Sequence, residues 1–369
     1  MATDRDFMRL ALREARKGLG RTSPNPAVGA VVVNQGTVVG RGYHRRAGTP
    51  HAEPHALVAA GPLAEGATLY VTLEPCNHHG RTPPCTEAII NSGISRVVVG
   101  MADPNPAVAG GGCEHLRRLG VAVECGILEE ECREINRPFI KHATTGLPWV
   151  IMKAGMSLDG RIAARRGVCT AITGELSRRY VHRLRDRVDA ILVGIETALV
   201  DDPCLTTRLE GRKGRDPVRV ILDSALRLPS TARMIAGESA APTWIFCAAA
   251  ADSDRRQQLE EAGVTVKSVP TGADGRVDLG LVLRELGRCQ LQSVLVEGGS
   301  LVHGAFLARG LVDRIALFVA PLFLGEAGVP LLSLAGRLAG MDLPRLTGVR
   351  VRRLGEDLLI EGRPVRSEE

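Results

Sequence analysis

The chain has 369 residues, long for one domain and comfortable for two, and its 44% hydrophobic and 24% charged residues suit a globular protein with a sizeable core. No apolar run approaches the roughly 20 residues that span a bilayer, and the charged N-terminal segment lacks a signal-peptide core, so we expect a cytoplasmic protein without membrane contact. The formal net charge is +6, but the basic residues are dispersed among acids and aromatic residues are few, which argues against nucleic-acid binding.

Cysteine usage points to the redox state of the chain. The 9 cysteines are an odd number, spread thinly over a long sequence. This pattern does not indicate a disulfide framework. We therefore expect most of them to be reduced and buried, and any pair with ligand-like neighbours becomes a metal candidate.

Hydrophobic periodicity predicts alternating helices and strands in the first half. Apolar residues recur at helical spacing from Phe7 to Ala15, and Asn34-Gln35-Gly36 is typical of a hairpin turn. The predicted elements after the first helix are strands 28–33 and 37–43, helix 52–60, strand 68–73, helix 83–91, strand 96–100, helix 114–119, strand 121–125 and helix 128–143. This order predicts a layered α/β domain with an at least partly parallel sheet.

The break at 144–148 separates this domain from a second one. We place the boundary near residue 146, giving domains 1–145 and 146–369. Strands are predicted near 149–154, 190–193, 218–222, 243–247, 264–269, 293–296 and 314–320, and helices fit between several of them. The second half therefore repeats the βα rhythm, and the absence of a repeat of about 20–50 residues excludes a solenoid.

Two segments of the first half carry a metal-ligand pattern. His51 begins a predicted helix, Cys76 follows a strand, and Cys85 lies in the first turn of the next helix, where Thr82 would be the cap and Pro83 the first residue. One imidazole and two thiolates suit tetrahedral zinc with water in the fourth position. Each residue alone is more simply a buried thiol or a loop histidine, but the combination predicts a zinc site.

Glu53 stands two residues after His51 and is not a predicted ligand. Zinc lowers the pKa of bound water to about 7, and a deaminase then needs a carboxylate that moves a proton to the departing amine. Zinc deaminases typically show H-x-E followed by P-C-x-x-C, whereas eight residues separate Cys76 from Cys85 here. His55 does not complete a metalloprotease motif, and His78 and His79 are interpreted as loop or substrate-facing residues.

The second half is less specific when read by itself. Glu297-Gly298-Gly299-Ser300-Leu301 follows a strand and opens a helix, so its backbone N–H groups suit a phosphate, although such turns are common. Lys153 lies inside an apolar strand. Its simplest interpretation is an exposed-edge lysine, and its functional interpretation is a residue that binds substrate or donates a proton.

At these motifs the sequence resembles the bifunctional riboflavin-biosynthesis deaminase–reductases. In that family the cysteines have this eight-residue separation. The resemblance covers nearly the whole chain in the family's order. Its motifs are Asn25-Pro26-x-Val28-Gly29, His51-Ala52-Glu53-x-His55-Ala56, Leu73-Glu74-Pro75-Cys76 through Pro84-Cys85, Asp103-Pro104-Asn105-Pro106, Met152-Lys153 through Arg161, Val193-Gly194 through Pro203, Ile221-Leu222-Asp223-Ser224 and Val296-Glu297-Gly298-Gly299.

The resemblance implies a fold and two activities. A cytidine-deaminase-like three-layer domain would be followed by a dihydrofolate-reductase-like α/β domain, in a homo-oligomer. The first would hydrolytically deaminate 2,5-diamino-6-ribosylamino-4(3H)-pyrimidinone 5′-phosphate with Zn²⁺. The second would use NADPH to reduce the ribosyl group at C1′, giving 5-amino-6-ribitylaminouracil 5′-phosphate.

The resemblance also implies the residues of the reductase site. Arginines suit a phosphorylated sugar because their planar fork pairs with phosphate oxygens, although Arg185, among Arg183 and Arg187, reads equally well as a solvated charge. Cofactor-binding positions would be Gly155, Ala171, Thr197, Asp201, Ser224, Gly298, Gly299, Ser300 and Leu301. Substrate-binding positions would be Cys169, Arg185, Leu205, Arg208 and Glu297.

One departure from the family concerns the cofactor. The family usually has a serine and, two residues later, a tryptophan where this chain has Cys169 and Ala171. This departure makes a deaminase with an impaired reductase domain the first alternative. Two further alternatives are a tRNA or nucleobase deaminase and a non-catalytic zinc module. The last two are disfavoured by the long second half and by Glu53, and we expect both activities.

Overall fold

The computed structural model describes residues 2–79, 83–105, 111–333 and 345–365. The chain divides into two compact units, Met1–Gly146 and Leu147–Glu369. The predicted cap Thr82 and the motif residue Pro106 lie outside the described residues.

The first unit alternates helices with short strands. Its helices are α1 (Asp4–Lys17), α2 (Ala52–Ala60), α3 (Cys85–Asn91), α4 (Gly112–Arg118) and α5 (Glu129–Thr145), with a 3₁₀ turn at Gly61–Ala64. Its strands are β1 (Gly29–Asn34), β2 (Thr37–Tyr43), β3 (Thr68–Val71), β4 (Arg96–Val99) and β5 (Ala122–Cys125), in the sheet order β2-β1-β3-β4-β5. The β1–β2 and β1–β3 pairs are antiparallel and the other two are parallel, so the predicted partly parallel sheet is confirmed.

Glycines in the first hairpin bring helices close to both faces of this sheet. A Cβ on Gly29 would lie 2.1 Å from the Ala11 carbonyl oxygen of α1, and one on Gly42 would lie 2.3 Å from the Ala52 oxygen of α2. Gly42 pairs with Ala30, the neighbour of Gly29 in β1. Because successive residues of a strand point to opposite faces, α1 and α2 cover opposite faces, and the unit has three layers.

The described residues of the second unit form eleven strands, nine of them in one sheet and two in a small separate sheet. The strands of this unit are β6 (Trp149–Ser157), β7 (Arg161–Ala163), β8 (Ala190–Gly194), β9 (Val218–Leu222), β10 (Thr243–Ala248), β11 (Thr265–Val269), β12 (Ser293–Val296), β13 (Arg314–Ala320), β14 (Val329–Pro330), β15 (Leu346–Leu354) and β16 (Asp357–Pro364). Strands β7 and β14 form the small sheet. The helices of this unit are α6 (Glu175–Arg185), α7 (Ile195–Asp201), α8 (Arg233–Ala236), α9 (Ser253–Glu261), α10 (Leu279–Arg288) and α11 (Ser300–Ala308).

The strand order places the functional segments at the middle of the larger sheet. The order is β11-β10-β9-β8-β12-β6-β13-β16-β15, parallel from β11 to β13 and antiparallel beyond. Apolar side chains are buried on both faces, since Ile191 belongs to one core cluster and Leu192 to another. The segments that follow the central strands β8, β12 and β6 therefore come together at the carboxyl edge of the sheet.

Three sequence predictions need correction. Helix α3 begins at Cys85 with Pro84 as its N-cap, so Pro83 is not the first helical residue, although Cys85 is in the first turn as expected. The terminal strands β15 and β16 were not predicted; β15 is exposed along almost its whole length and so lacks the buried alternation that identifies a strand. All nine cysteines lie in the described part of the chain as free thiols, but only four are buried.

Candidate active sites

The three predicted zinc ligands converge in the first unit. His51 is the N-cap of α2, Cys76 follows β3 and Cys85 begins α3. His51 Nδ1 lies 3.3 Å from Cys85 Sγ and 3.5 Å from Cys76 Sγ, and all three ligand atoms lie within 4.8 Å of one another. Among the described residues this is the one group of three or more His, Cys, Asp or Glu side chains with metal-ligand spacing.

The geometry and chemistry of these groups fit zinc. Zn–S bonds of about 2.3 Å and Zn–N bonds of about 2.0–2.1 Å place nitrogen and sulfur about 3.5 Å apart in a tetrahedron, which matches the observed spacing. The Cys85 thiol and His51 hydrogen-bond to Cys76 and lower its pKa, favouring the thiolate that a metal requires. The backbone N–H of Cys85 also donates to Cys76 Sγ, at 3.3 Å.

Glu53 lies beside the ligands and outside the ligand group. Its side chain is buried, with 3% of the residue exposed, and its Oε2 has no hydrogen-bond partner. Burial raises the pKa of Glu53 to about 7, against the lowering effect of His51. A buried carboxyl group with one oxygen free of hydrogen bonds can exchange a proton with a reactant at this site.

The remaining histidines of this unit have other surroundings. His55 lies one turn after His51 on α2 and lines a separate surface cavity with Tyr43. His78 and His79 are exposed, and His79 pairs with Glu87 at 3.3 Å. These three therefore stay apart from the ligand group.

Sequence reasoning missed His44, which contacts the ligand His51. Its ring stands edge-on to that of His51, 5.2 Å between centroids. His44 Nε2 lies 3.1 Å from Asn25 Nδ2, and its Nδ1 lies 3.1 Å from the Pro50 carbonyl oxygen. Asn25 belongs to a motif used for the family resemblance, and the histidine directly after β2 was the available signal.

In the second unit, a buried ion-pair cluster forms around Glu297, the residue directly after β12. Arg185 donates two hydrogen bonds to Glu297, at 2.7 and 3.0 Å, and Lys153 Nζ lies 3.4 Å from the same carboxylate. Burial tends to raise the pKa of Glu297, but the charges of Arg185 and Lys153 outweigh it and lower the pKa to about 2.

The positions of Lys153 and Arg185 in this cluster show that their simplest sequence interpretations were wrong. Lys153 is not an edge lysine, because β6 lies between β12 and β13. Arg185 is not a solvated charge, because its side chain is 13% exposed, whereas Arg183 and Arg187 are exposed.

A cavity of about 870 Å³ adjoins this cluster. Its lining includes most of the positions that the family resemblance implied for cofactor and substrate, and these are Lys153, Gly155, Cys169, Ala171, Thr197, Asp201, Ser224, Glu297, Gly299, Ser300 and Leu301. The cavity wall also contains arginines that were not predicted, because they are scattered along the sequence. Their positive charges suit a phosphorylated cofactor, and they are Arg165, Arg166, Arg178, Arg227, Arg276 and Arg309. The cavity thus combines the predicted positions with unpredicted positive charge.

The glycine turn before α11 forms one wall of the cavity. Gly299 has φ of 79°, a conformation that glycine adopts without strain, and a Cβ on Gly298 would lie 3.1 Å from Thr197 Oγ1. Ser300 Oγ is buried and has no hydrogen-bond partner. The turn therefore offers an unused polar group next to backbone that can approach a ligand closely.

The two residues that depart from the family pattern are both at the cavity and exposed. Cys169 is hydrogen-bonded to the Asp201 carboxylate, which raises the pKa of the thiol. The thiol thus stays protonated and occupies the serine position as a neutral hydrogen-bonding group. Ala171 presents only a methyl group at the cavity wall.

Four predicted positions are not in the cavity lining. Gly298 packs against Thr197, which lines the cavity. Arg185 is hydrogen-bonded to the lining residue Glu297. Leu205 is 3% exposed and has φ of 51°, so the residue is buried in a left-handed backbone conformation. Arg208 is exposed, and its backbone N–H donates to His182 Nδ1 at 3.2 Å.

The described residues contain no helix that is both long and apolar enough to cross a membrane.

Comparison with known proteins identifies both halves of the chain. A family model described as the cytidine and deoxycytidylate deaminase zinc-binding region matches residues 1–101, and one described as the RibD C-terminal domain matches residues 148–360. The riboflavin biosynthesis protein RibD of Aquifex aeolicus is 44% identical over 97% of both chains.

Solved structures agree with this assignment. The structure of Acinetobacter baumannii RibD matches with a TM-score of 0.88 and 36% identity, over 98% of this chain and 99% of that one. A diaminohydroxyphosphoribosylaminopyrimidine deaminase/5-amino-6-(5-phosphoribosylamino)uracil reductase from Thermotoga maritima matches with a TM-score of 0.85 and 39% identity, over the same shares. The chain therefore belongs to the RibD family of riboflavin-biosynthesis enzymes, with a cytidine-deaminase-like zinc domain followed by an NADPH-dependent reductase domain.

Proposed function

We propose that the first unit deaminates 2,5-diamino-6-ribosylamino-4(3H)-pyrimidinone 5′-phosphate and that the second reduces its ribosyl group to ribityl. The observation that carries the proposal is the spacing of the His51, Cys76 and Cys85 ligand atoms beside the buried carboxyl group of Glu53, whose Oε2 has no hydrogen-bond partner. A non-catalytic binding module is disfavoured for two reasons. Structural zinc sites usually take four protein ligands, and such a site does not need a carboxyl group that transfers protons.

In the deaminase unit, His51, Cys76 and Cys85 would hold zinc. The metal would lower the pKa of a water molecule to about 7. Glu53 would take a proton from that water as the water oxygen bonds to the ring carbon, and would give the proton to the departing amino group, so that the C–N bond breaks and neutral ammonia leaves. The burial of Glu53 keeps bulk water from competing for this proton.

In the reductase unit, the cavity wall formed by Gly299, Ser300, Leu301 and Thr197 would bind NADPH, together with the other cofactor positions of the family. NADPH would supply the hydride that reduces C1′. Lys153, whose ammonium group is held by Glu297, is the proposed donor of the accompanying proton. The exposed Arg208 is the proposed partner of the substrate phosphate, since Arg185 is already engaged by Glu297.

Three further properties complete the proposal. The deaminase domain is residues 1–145 and the reductase domain 146–369, supported by the end of α5 at Gly146, which has φ of 71°. The enzyme acts in the cytoplasm, because its substrate and NADPH are charged phosphates that do not cross membranes unaided. It is a homo-oligomer, as the family resemblance implies, and light scattering on the purified protein tests this.

Zinc content tests the ligand set directly. Cys76→Ala removes one of three protein ligands, so the purified variant should contain far less zinc than the wild type. Cys289→Ala, at an exposed cysteine of the second unit, is the matched control and should keep its zinc. Full zinc occupancy in Cys76→Ala would end the proposed site.

A further inference from the structure

The loop between the two cysteine ligands is long for a zinc deaminase. Eight residues separate Cys76 from Cys85, against two in C-x-x-C. The probability that the ends of a flexible loop meet falls as about the 3/2 power of its length, so a fourfold longer loop lowers it about eightfold. Hydrogen bonds on either side of the two ligands therefore have to offset this cost.

Glu74 fixes the chain before Cys76. Its Oε1 accepts a hydrogen bond from the Cys113 backbone N–H at 3.0 Å, and its Oε2 accepts one from the Asp103 N–H at 3.2 Å. Its own N–H donates to the Met101 carbonyl oxygen at 2.9 Å. Both carboxylate oxygens are thus used to join the end of β3 to the segment after β4 and to the first turn of α4.

Thr86 fixes the chain on the other side of Cys76. It is fully buried, and its hydroxyl donates to Asn77 Oδ1 at 2.8 Å. Its backbone N–H also donates to the Cys76 carbonyl oxygen, at 3.3 Å. The residue after one ligand is therefore bonded to the residue after the other ligand.

We infer that Glu74 and Thr86 are positioning residues of the metal site, which hold Cys76 and Cys85 at ligating distance and thereby set how long zinc is retained. Neither side chain belongs to the ligand group. This inference rests on the proposed ligand set His51, Cys76 and Cys85.

The test measures zinc release from the purified zinc-loaded enzyme to a chromogenic chelator. Thr86→Val keeps the shape of the side chain and removes the hydroxyl, so zinc should leave about 2–10 times faster, the range that one hydrogen bond accounts for. Thr86→Ser restores the hydroxyl and should release zinc at nearly the wild-type rate. With saturating zinc in the buffer, KM for the diaminopyrimidinone substrate should be unchanged in all three proteins.

Glu74→Gln provides the independent arm. Its amide N–H₂ would face one of the two backbone N–H donors, so one hydrogen bond is replaced by a donor–donor contact, and release should accelerate about tenfold or more. Far-UV circular dichroism verifies that each variant is folded. If Thr86→Val is unfolded, Glu74→Gln alone decides.

The outcomes separate this inference from the proposed function. Wild-type release rates in Thr86→Val and Glu74→Gln, with zinc lost in Cys76→Ala, would overturn the positioning role alone. Equal acceleration in Thr86→Ser and Thr86→Val would overturn the role of the hydroxyl. Full zinc retention in Cys76→Ala would overturn the ligand set and this inference together.

Discussion

At the scale of single residues, the proposed deaminase chemistry assigns the proton transfer to Glu53. Glu53→Gln keeps the size of the side chain and removes its ability to carry a proton, so ammonia release should fall by at least about 10²-fold. Zinc content should not change, because Glu53 is outside the ligand group. Ammonia and metal assays on the same preparation measure both. Glu65→Gln, at an exposed glutamate of the same unit, is the control, and loss of zinc from Glu53→Gln would contradict the proton-shuttle role.

Ala171 is the position at which we expect cofactor affinity to be weakened, because the family pattern has a tryptophan there. Ala171→Trp supplies the missing indole at the cavity, and stacking of this kind is worth about 0.5–1.5 kcal/mol. We expect the Kd for NADPH to fall about 2–10-fold, measured by fluorescence titration. Ala171→Leu adds apolar area without an aromatic face and should change the Kd less. Equal affinity in the wild type and both variants would show that the indole is not the missing contact.

The sequence predicted the metal site more completely than the reductase site, for a physical reason. His51, Cys76 and Cys85 carry a ligand chemistry that few other roles require, so their types and context were sufficient. Arg185 could not be distinguished from Arg183 by sequence, because both occupy the same charged helix and only packing turns Arg185 toward Glu297. The pairing of distant side chains is decided by the tertiary fold.

At the scale of elements, the Arg185–Glu297 pair joins α6 to the end of β12. Removing Arg185 leaves a buried carboxylate with only Lys153 as counter-charge, so Arg185→Met should destabilise the reductase unit by about 3 kcal/mol. The double variant Arg185→Met, Glu297→Gln should recover part of that loss. Urea unfolding measures both. Arg183→Met, two residues away and exposed, should change stability little, and an equal loss there would contradict the special role of the buried pair.

Close packing of α2 on β2 explains why the hairpin contains Gly42. A Cβ at Gly42 would lie 2.3 Å from the Ala52 oxygen and 2.5 Å from the Ala56 nitrogen, both backbone atoms that cannot turn away. Gly42→Ala should therefore destabilise the first unit by about 1–3 kcal/mol, measured by urea unfolding. Gly174→Ala, where the new Cβ would meet only the Asp357 carboxylate at 3.5 Å, is the control. Unchanged stability of Gly42→Ala would mean that α2 can shift.

Elements with an apolar buried face were predictable, and elements without one were not. The strands around the Asn34-Gln35-Gly36 turn were predicted because apolar residues flank residues suited to positive φ, and Gln35 and Gly36 have φ of 48° and 75°. The final strands lack this apolar signal for two different reasons. Strand β15 is an exposed edge that contains Arg350, Arg352 and Arg353. The buried face of β16, in contrast, carries Asp357 and Glu361 beside Leu359. The pairing of β15 with β16, rather than burial, makes β15 a strand.

At the scale of the whole molecule, each of the two units has its own core and its own site. Removal of zinc with a chelator should therefore abolish ammonia release from the diaminopyrimidinone substrate. The same metal-free protein should still oxidise NADPH when it is given the deaminated ribosyl compound, because no predicted zinc ligand lies in the second unit. Loss of both activities on chelation, reversed by zinc, would contradict this independence.

Both units of this chain should be active, despite Cys169 and Ala171. The most direct test mixes the zinc-loaded enzyme with the diaminopyrimidinone ribotide and NADPH, and follows ammonia and NADPH oxidation together. If both units are active, ammonia is released and NADPH is oxidised, and the two reach equal molar amounts at completion. Ammonia without NADPH oxidation would contradict the reductase assignment, and the absence of both would contradict the proposed substrate.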